Sequence, residues 1–402
     1  MKCGLLGRKL GHSYSPAIHA HLGNYEYALY EKEPEELEDF LRNGDWSGLN
    51  VTMPYKQTVM TWLDELTPIA SKLGAVNTIV RRNGKLVGHN TDYFGFRYLL
   101  KQSGHSPAGK KCLVLGSGGA SHTAAAVLEE LGGQVTVISR SGVHNYENLH
   151  RHADASWIIN TTPVGMYPNT GVSPVDLSLI PQLECVADVV YNPSRTQLMM
   201  DAEARGIPAI GGLSMLVAQA KEASEWFTET SIADHSIPSI HAILQSQMEN
   251  IVLIGMPGCG KSTVGALLAQ NTGRQLVDAD AEIEKLAKKS IPRIFAEDGE
   301  DMFRRLETQV LAELGKQSGL VIATGGGCVT RSENYPLLHQ NGTLYWLQRN
   351  LDKLPTDGRP LSKNLEAMFA IRKPLYEAFA DHVIDNNSTA EDAVNTILEG
   401  FQ

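Results

Sequence analysis

Two glycine-rich loops, each set between a short apolar run and a helical stretch, predict an α/β chain made of two domains. The first loop, VLGSGGAS, follows KKCL, and the second, GMPGCGKS, follows NIVLI. A strand that turns on glycine into a helix is how parallel sheets hold phosphate, because the helix N-terminus offers unbonded N–H groups. The third observation is length: 402 residues are more than one hydrophobic core usually organises.

Composition narrows the partners. Hydrophobic content of 42%, charged content of 20% and a net charge of −10 fit a soluble globular protein. An acidic surface disfavours general binding to nucleic acid or an anionic membrane. Cys3, Cys112, Cys185, Cys259 and Cys328 are scattered, with no C-x-x-C pair. They are expected to be buried and reduced, in a cytoplasmic setting. The opening MKCGLLGRKLGHS has too short an apolar run for a signal peptide, and no stretch is long enough for a membrane span. A homo-oligomer is compatible with the sequence, which does not argue for one.

In chain order, CGLLG, LNVTMP, AVNTIV and KLVGHN read as extended. EPEELEDFLRNG has helical spacing of Leu37, Phe40 and Leu41, with Gly44 as its stop. KKCLVLGSGGASHTAAAVLEELGG opens a βα unit, and QVTVISRS, WIINTTP and CVADVVYNP supply short strands for a parallel sheet. Leu213, Leu216, Val217, Ala220, Ala223 and Phe227 lie on one face of a helix. Ile240, Ile243 and Leu244 mark a further helix ending near Gln247. The second loop's strand starts almost at once, so the join is no flexible tether.

The first loop, Gly116-Ser117-Gly118-Gly119-Ala120, fits a Rossmann-like dinucleotide turn, although Ser121 stands at the last glycine position. A generic βα turn is the alternative. The next strand ends in Ser139-Arg140-Ser141. A carboxylate there would bind a ribose 2′-hydroxyl, whereas a guanidinium between hydroxyls suits a 2′-phosphate. The cofactor reading is therefore NADP(H) rather than NAD(H).

Ahead of this loop, GHSYSPAIH, GLNVTMPYK, GAVNT and GHNTD place Ser13, Ser15, Asn50, Thr52, Asn77 and Asn90 near strand ends. Singly, each is an ordinary cap or turn residue. As a set they suit a polyhydroxylated ligand. Lys56 and Asp92 are the titratable pair among them. Reducing a ketone makes an alkoxide that needs a proton, and an ammonium oriented by a carboxylate can give it.

The signatures SYSPAIH, NVTMPYK, GAVNT, GHNTD, LGSGGAS, NTTPVGM, DVVYNP and GGLSMLVAQA, in this order, resemble shikimate dehydrogenase over nearly all of residues 1–247. The resemblance implies that Ser13, Ser15, Thr52, Lys56, Asn77, Asp92 and Gln219 contact shikimate, with Lys56 and Asp92 as catalytic pair. It implies that Tyr191, Gly212 and Met215 lie near the nicotinamide. It also implies a two-lobed dehydrogenase: a substrate lobe of residues 1–98 plus 213–247, and a Rossmann-like NADP lobe of 99–212. Arg140 is kept where the family has Asn-Arg-Thr, flanked here by serines.

The second loop is a full G-x-x-x-x-G-K-[ST]. The N–H groups of Gly258, Cys259, Gly260, Lys261, Ser262 and Thr263 are placed to cradle ATP phosphates. Lys261 reaches the outer oxygens and Ser262 ligates Mg²⁺. LVDADAEIE puts Asp278 and Asp280 on alternate positions, and an extended backbone would aim both carboxylates one way. One would serve the Mg²⁺ shell and the other would accept a proton from an attacking hydroxyl. The alternative is an acidic helix N-terminus. Arg304 and Glu307 share a helical face, and Gly325, Gly326 and Gly327 follow a buried strand. Arg359 and Arg372 are suited to a carboxylate or phosphate.

The P-loop, DAD, FRRLE, TGGG, GRPL and RKPLYE resemble shikimate kinase over essentially all of residues 249–402. The resemblance implies a P-loop fold like that of the nucleoside monophosphate kinases. It implies that Asp280, Arg304, Gly326 and Arg372 bind shikimate, with Asp280 on the 3-hydroxyl. Arg359 would come from a lid, which looks short here, and steady the transferring phosphoryl group; Ser262 and Asp278 would hold Mg²⁺. Together the two resemblances imply a bifunctional enzyme of aromatic amino-acid biosynthesis: reduction of 3-dehydroshikimate, then phosphorylation of shikimate. The rivals are a quinate dehydrogenase or gluconate-type kinase in either half, and a sensor protein with dead sites. The presence of Lys56, Asp92, Lys261 and Asp280 counts against the last.

Overall fold

The computed structural model describes residues 1–11, 13–354 and 365–400. They form two compact units, residues 1–166, 172–191 and 198–244, and residues 167–171, 192–197 and 245–402. The division differs from the expected break at residue 248 in two respects: the main break falls between residues 244 and 245, inside helix Ser236–Met248, and two short segments change sides. Segments 167–171 and 192–197 group with the second unit, where the Ser194 N–H donates to Asn341 Oδ1 at 2.8 Å and the Arg195 N–H to the Gln340 carbonyl at 2.9 Å.

The first unit holds two sheets. One contains β1 (Lys2–Gly7), β2 (Glu26–Glu31), β3 (Gly48–Val51), β4 (Glu65–Leu66), β5 (Thr78–Arg82) and β6 (Lys85–His89), in the order β2-β1-β3-β5-β6-β4. It is mixed: β3–β5 and β5–β6 are antiparallel and the remaining pairs parallel. Leu6, Leu37, Leu41, Trp46, Leu49, Val59 and Ile79 fill the core on one face. Helix Leu213–Thr228 lies on the other, with Phe227 packed where a Cβ on Gly48 would stand. Each such side chain removed from water contributes about 1.5–3 kcal/mol.

The other sheet of this unit is wholly parallel: β7 (Lys111–Leu115), β8 (Gln134–Ile138), β9 (Trp157–Asn160), β10 (Cys185–Asp188) and β11 (Ala209–Ile210), in the order β11-β10-β9-β7-β8. Strands β7, β9 and β10 are almost entirely buried, as expected of strands covered on both faces.

The second unit carries a third parallel sheet: β12 (Asn250–Ile254), β13 (Gln275–Asp278), β14 (Leu320–Ala323), β15 (Gly342–Gln348) and β16 (His382–Asp385), in the order β13-β14-β12-β15-β16. The glycine loop leaves the C-terminal end of β12, between β14 and β15, the edge where open parallel sheets bind ligands. Helix Ser236–Met248 is followed by β12 with Glu249 alone between them. No helix among the described residues is long and apolar enough to cross a membrane.

Candidate active sites

In the first unit, the ends of β3, β5 and β6 converge. Lys56 follows β3 and Asp92 opens helix Asp92–Gln102. Their Nζ and Oδ2 are 2.6 Å apart, with the Asp92 side chain 12% exposed. The Asp92 N–H donates to Asn90 Oδ1 at 3.0 Å, and Asn90 Nδ2 to the Ala75 carbonyl at 2.8 Å, which fixes the turn that presents the carboxylate.

Asn77 is the hub. Its Nδ2 donates to Thr91 Oγ1 and to Gln219 Oε1, both at 3.0 Å, while its Oδ1 accepts from the Thr91 N–H at 2.7 Å. Gln219 comes from helix Leu213–Thr228, which approaches Asp92–Gln102 closely at Gly95; a Cβ there would lie 2.7 Å from the Met215 carbonyl oxygen. Met215 therefore sits at the crossing of the two helices. The Tyr27 hydroxyl donates to Asn50 Oδ1 at 2.7 Å. The Ser13 Oγ accepts the Ser15 N–H at 3.2 Å, and Thr52 lies two residues beyond Asn50 with its N–H on the Leu6 carbonyl at 2.9 Å. Tyr27 is a residue that sequence reasoning missed, since nothing in EYALYE marks its hydroxyl as part of the site.

The first glycine turn joins β7 to helix Gly119–Glu130. Gly116 has φ +112°, and a Cβ on it would stand 2.8 Å from Thr161 Oγ1. Gly118 and Gly119 face open space, into which helix Gly119–Glu130 points its N-terminus through Ala120. Ser121, the departure from the glycine pattern, is buried and donates its hydroxyl to the Gly116 carbonyl at 2.8 Å, closing the turn behind Ser117. Arg140 is exposed just past the edge strand β8, flanked by Ser139 and Ser141, and makes no ion pair among the described residues. Tyr191 follows β10, its ring edge-on to Tyr14 at 6.0 Å between centroids, and burial pushes its phenol up. A Cβ on Gly212 would collide with the Val189 carbonyl.

In the second unit, Lys261 opens helix Lys261–Thr272 and is folded onto its own loop, donating to the Gly255 and Met256 carbonyls at 2.9 and 3.0 Å. Gly258, Cys259 and Gly260 precede it in the loop, and Ser262 and Thr263 follow it in the first helical turn. The Ser262 hydroxyl donates to Asp278 Oδ2 at 3.2 Å. A hydroxyl beside a carboxylate is an oxygen-only set that fits Mg²⁺, which needs one or two protein carboxylates with phosphate and water completing its shell. Among the described residues no group of three or more His, Cys, Asp or Glu side chains is placed to hold a metal.

The strand argument for Asp280 fails. β13 ends at Asp278, which caps helix Ala279–Ala287 by accepting from the Asp280 N–H at 3.0 Å. Asp280 lies in the helix's first turn, so the acidic helix start that was the alternative is what forms. The two carboxylates nonetheless share the site, because a cap and the second residue after it both face the approach to the helix end.

Asp280 meets Arg304 and Glu307 at the glycine run. A Cβ on Gly325 would stand 2.7 Å from Glu307 Oε1 and 2.8 Å from Asp280 Oδ1, and one on Gly327 would overlap the Arg304 guanidinium. These convergent groups thus require backbone without side chains between them. Arg304 Nη1 pairs with Glu307 Oε2 at 2.7 Å, the Glu307 side chain being wholly buried. Burial pushes both Asp280 and Glu307 up, outweighing the guanidinium. Asp280 Oδ1 and Glu307 Oε1 are buried acceptors with no protein partner among the described residues. The Gly326 carbonyl accepts from Arg372 Nη1 at 3.1 Å and from the Tyr376 hydroxyl at 2.5 Å. Tyr376 was not among the expected site residues, although RKPLYE contains it, and Glu307 was expected only on the helical face of Arg304. Arg359 lies outside the described residues.

Comparison with known proteins divides the chain in the same order. A family model described as "Shikimate dehydrogenase substrate binding domain" matches residues 5–79, and one described as "Shikimate kinase" matches residues 257–402. A shikimate dehydrogenase (NADP(+)) from Dehalococcoides mccartyi is 39% identical over 256 residues, covering 56% of this chain and 89% of that protein. The crystal structure of shikimate dehydrogenase 1 from Peptoclostridium difficile matches with a TM-score of 0.56 at 36% identity, over 61% of this chain and 97% of that one. A quinate dehydrogenase from Corynebacterium glutamicum in complex with NAD matches with a TM-score of 0.56 at 28% identity, over 61% of this chain and 99% of that one.

Proposed function

The chain belongs to the shikimate dehydrogenase family and carries a shikimate kinase domain behind it, and from that premise we propose how its residues divide two successive reactions. The first is NADPH-dependent reduction of 3-dehydroshikimate to shikimate. The second is ATP- and Mg²⁺-dependent phosphorylation of shikimate to shikimate 3-phosphate.

In the first unit Lys56 donates the proton that the new alkoxide needs, and Asp92 orients it. The observation that carries this assignment is the 2.6 Å pair at the end of a ring of amide and hydroxyl groups. Ser13, Ser15, Thr52, Asn77 and Gln219 bind the ring hydroxyls and carboxylate. NADPH supplies the hydride when bound. Gly116 to Ala120 take its pyrophosphate, Tyr191, Gly212 and Met215 border its nicotinamide, and Ser139, Arg140 and Ser141 take its 2′-phosphate. Because Arg140 has no competing carboxylate among the described residues, Arg140→Ala raises KM for NADPH about tenfold, the worth of one hydrogen bond to a charged group. KM for NADH stays near its starting value; equal losses for both cofactors would remove Arg140 from 2′-phosphate recognition.

In the second unit the loop from Gly258 to Thr263 cradles the ATP phosphates, and Ser262 with Asp278 holds Mg²⁺. The unpartnered Asp280 Oδ1 carries the kinase assignment: it is an acceptor awaiting a substrate hydroxyl. Arg304 and Arg372 bind the shikimate carboxylate beside Gly326, and Arg359 steadies the phosphoryl group. All five cysteines are buried and unpaired, which suits a reducing cytoplasm. The deciding experiment supplies 3-dehydroshikimate, NADPH, ATP and Mg²⁺ to the purified chain. Shikimate 3-phosphate should form; shikimate accumulating without it would refute the kinase half. Parallel rates with shikimate and quinate test the nearest rival, and faster oxidation of quinate would reverse the substrate assignment.

A further inference from the structure

β15 lies beside β12 in parallel register, Ile254 opposite Trp346, so the chain leaving β15 emerges next to the P-loop. The first residue past β15 is Arg349. It is half-buried, and its Nη1 lies 3.8 Å from the position a Cβ would take on Gly260, the glycine immediately before Lys261. Its Nε is buried without an acceptor, and among the described residues the guanidinium forms no ion pair. A half-buried guanidinium normally finds a carboxylate or carbonyl, because an unmet charged donor is costly.

The surroundings explain why this one does not. Asn386 Nδ2 occupies the nearest acceptor of the loop, the Cys259 carbonyl, at 2.7 Å. Lys261 holds the Gly255 and Met256 carbonyls. The connection after Arg349 is pinned elsewhere, with the Asn350 N–H on Asn387 Oδ1 at 2.8 Å and Lys353 Nζ on the Asn387 carbonyl at 2.9 Å. Arg349 is thus held beside the phosphate cradle with its Nε donor unmet among the described residues.

We propose that Arg349 is a nucleotide-binding residue of the kinase unit, its guanidinium donating to a phosphate oxygen of the bound nucleoside di- or triphosphate from the β15 side of the P-loop. Guanidinium suits this role because it stays charged and offers several donors to one anion. The assignment rests on the kinase reading of this unit.

The test uses the full chain and ADP. Arg349→Ala and Arg349→Met should each weaken ADP binding about tenfold by calorimetry. Arg349→Lys should recover part of the loss, because it restores the charge but not the fork. In steady state KM for ATP should rise while KM for shikimate in the kinase reaction holds, a split that a general loosening of the unit would not produce. ADP affinity equal to that of the unchanged chain in both Ala and Met variants would overturn the assignment. So would a rise in both KM values together. An unchanged chain that binds no ADP at all would instead sink the kinase reading itself.

Discussion

Lys56→Ala lowers the rate of 3-dehydroshikimate reduction about 10²-fold or more, the usual worth of a positioned general acid, while phosphorylation of shikimate by the same chain holds its rate. The argument is geometric. Lys56 Nζ lies 2.6 Å from Asp92 Oδ2, and Asp92 is itself fixed through Asn90 and the Asn77–Thr91–Gln219 bonds. An ammonium held this way can meet an alkoxide without searching, and water admitted in its place is neither held nor charged. Truncation also leaves Asp92 without its cation, and a poorly solvated unpaired carboxylate destabilises its surroundings. Thermal unfolding of the variant therefore has to accompany the rates. Asp92→Asn supplies the second control. If the two residues act as one unit, the double variant loses little more than either single one. Losses that multiply would separate them, and a Lys56→Ala chain that still reduces at its original rate would exclude Lys56 as the acid.

Much of this site was legible because short motifs carry their own geometry. Strand, glycine turn and helix could be placed for both phosphate loops, since the spacing of apolar residues and glycines determines where the backbone turns. What spacing does not contain is lateral packing. β2 went unread because its edge-strand residues are half-exposed, so YEYALYE shows no clean alternation, and with it went the Tyr27 hydroxyl that bonds Asn50. Asp280 was placed on a strand because alternation and a helix start look alike over three residues; the Asp278 cap decided between them. Arg349, Asn386 and Glu307 acquire meaning only when β15, β16 and helix Gly299–Lys316 are brought to the P-loop and the glycine run. Ser121 is the opposite case: a departure from the glycine pattern that looked like weakness supplies a bond closing the turn.

Asp280→Asn abolishes most phosphorylation, about 10²-fold or more, while ADP still binds with its original affinity. The two effects separate because Asp280 faces Gly325 and Glu307, whereas Lys261, Ser262 and Asp278 form the nucleotide side. Asp280 Oδ1 is a buried acceptor with no protein partner among the described residues. In the native chain it can take the proton of the attacking hydroxyl or hold that hydroxyl in line. An amide keeps the shape and can still accept through its carbonyl oxygen, but it cannot remove a proton. Asn also relieves repulsion among Asp278, Asp280 and Glu307, so the variant should fold at least as well, and instability cannot account for its loss of rate. Shikimate affinity then reports which role dominates. If Asp280 chiefly positions the hydroxyl, KM for shikimate rises along with the fall in kcat. If it chiefly accepts the proton, kcat falls alone. Retention of turnover at the native rate would place the proton elsewhere, and Glu307, whose Oε1 faces the same glycine, would be the next carboxylate to replace.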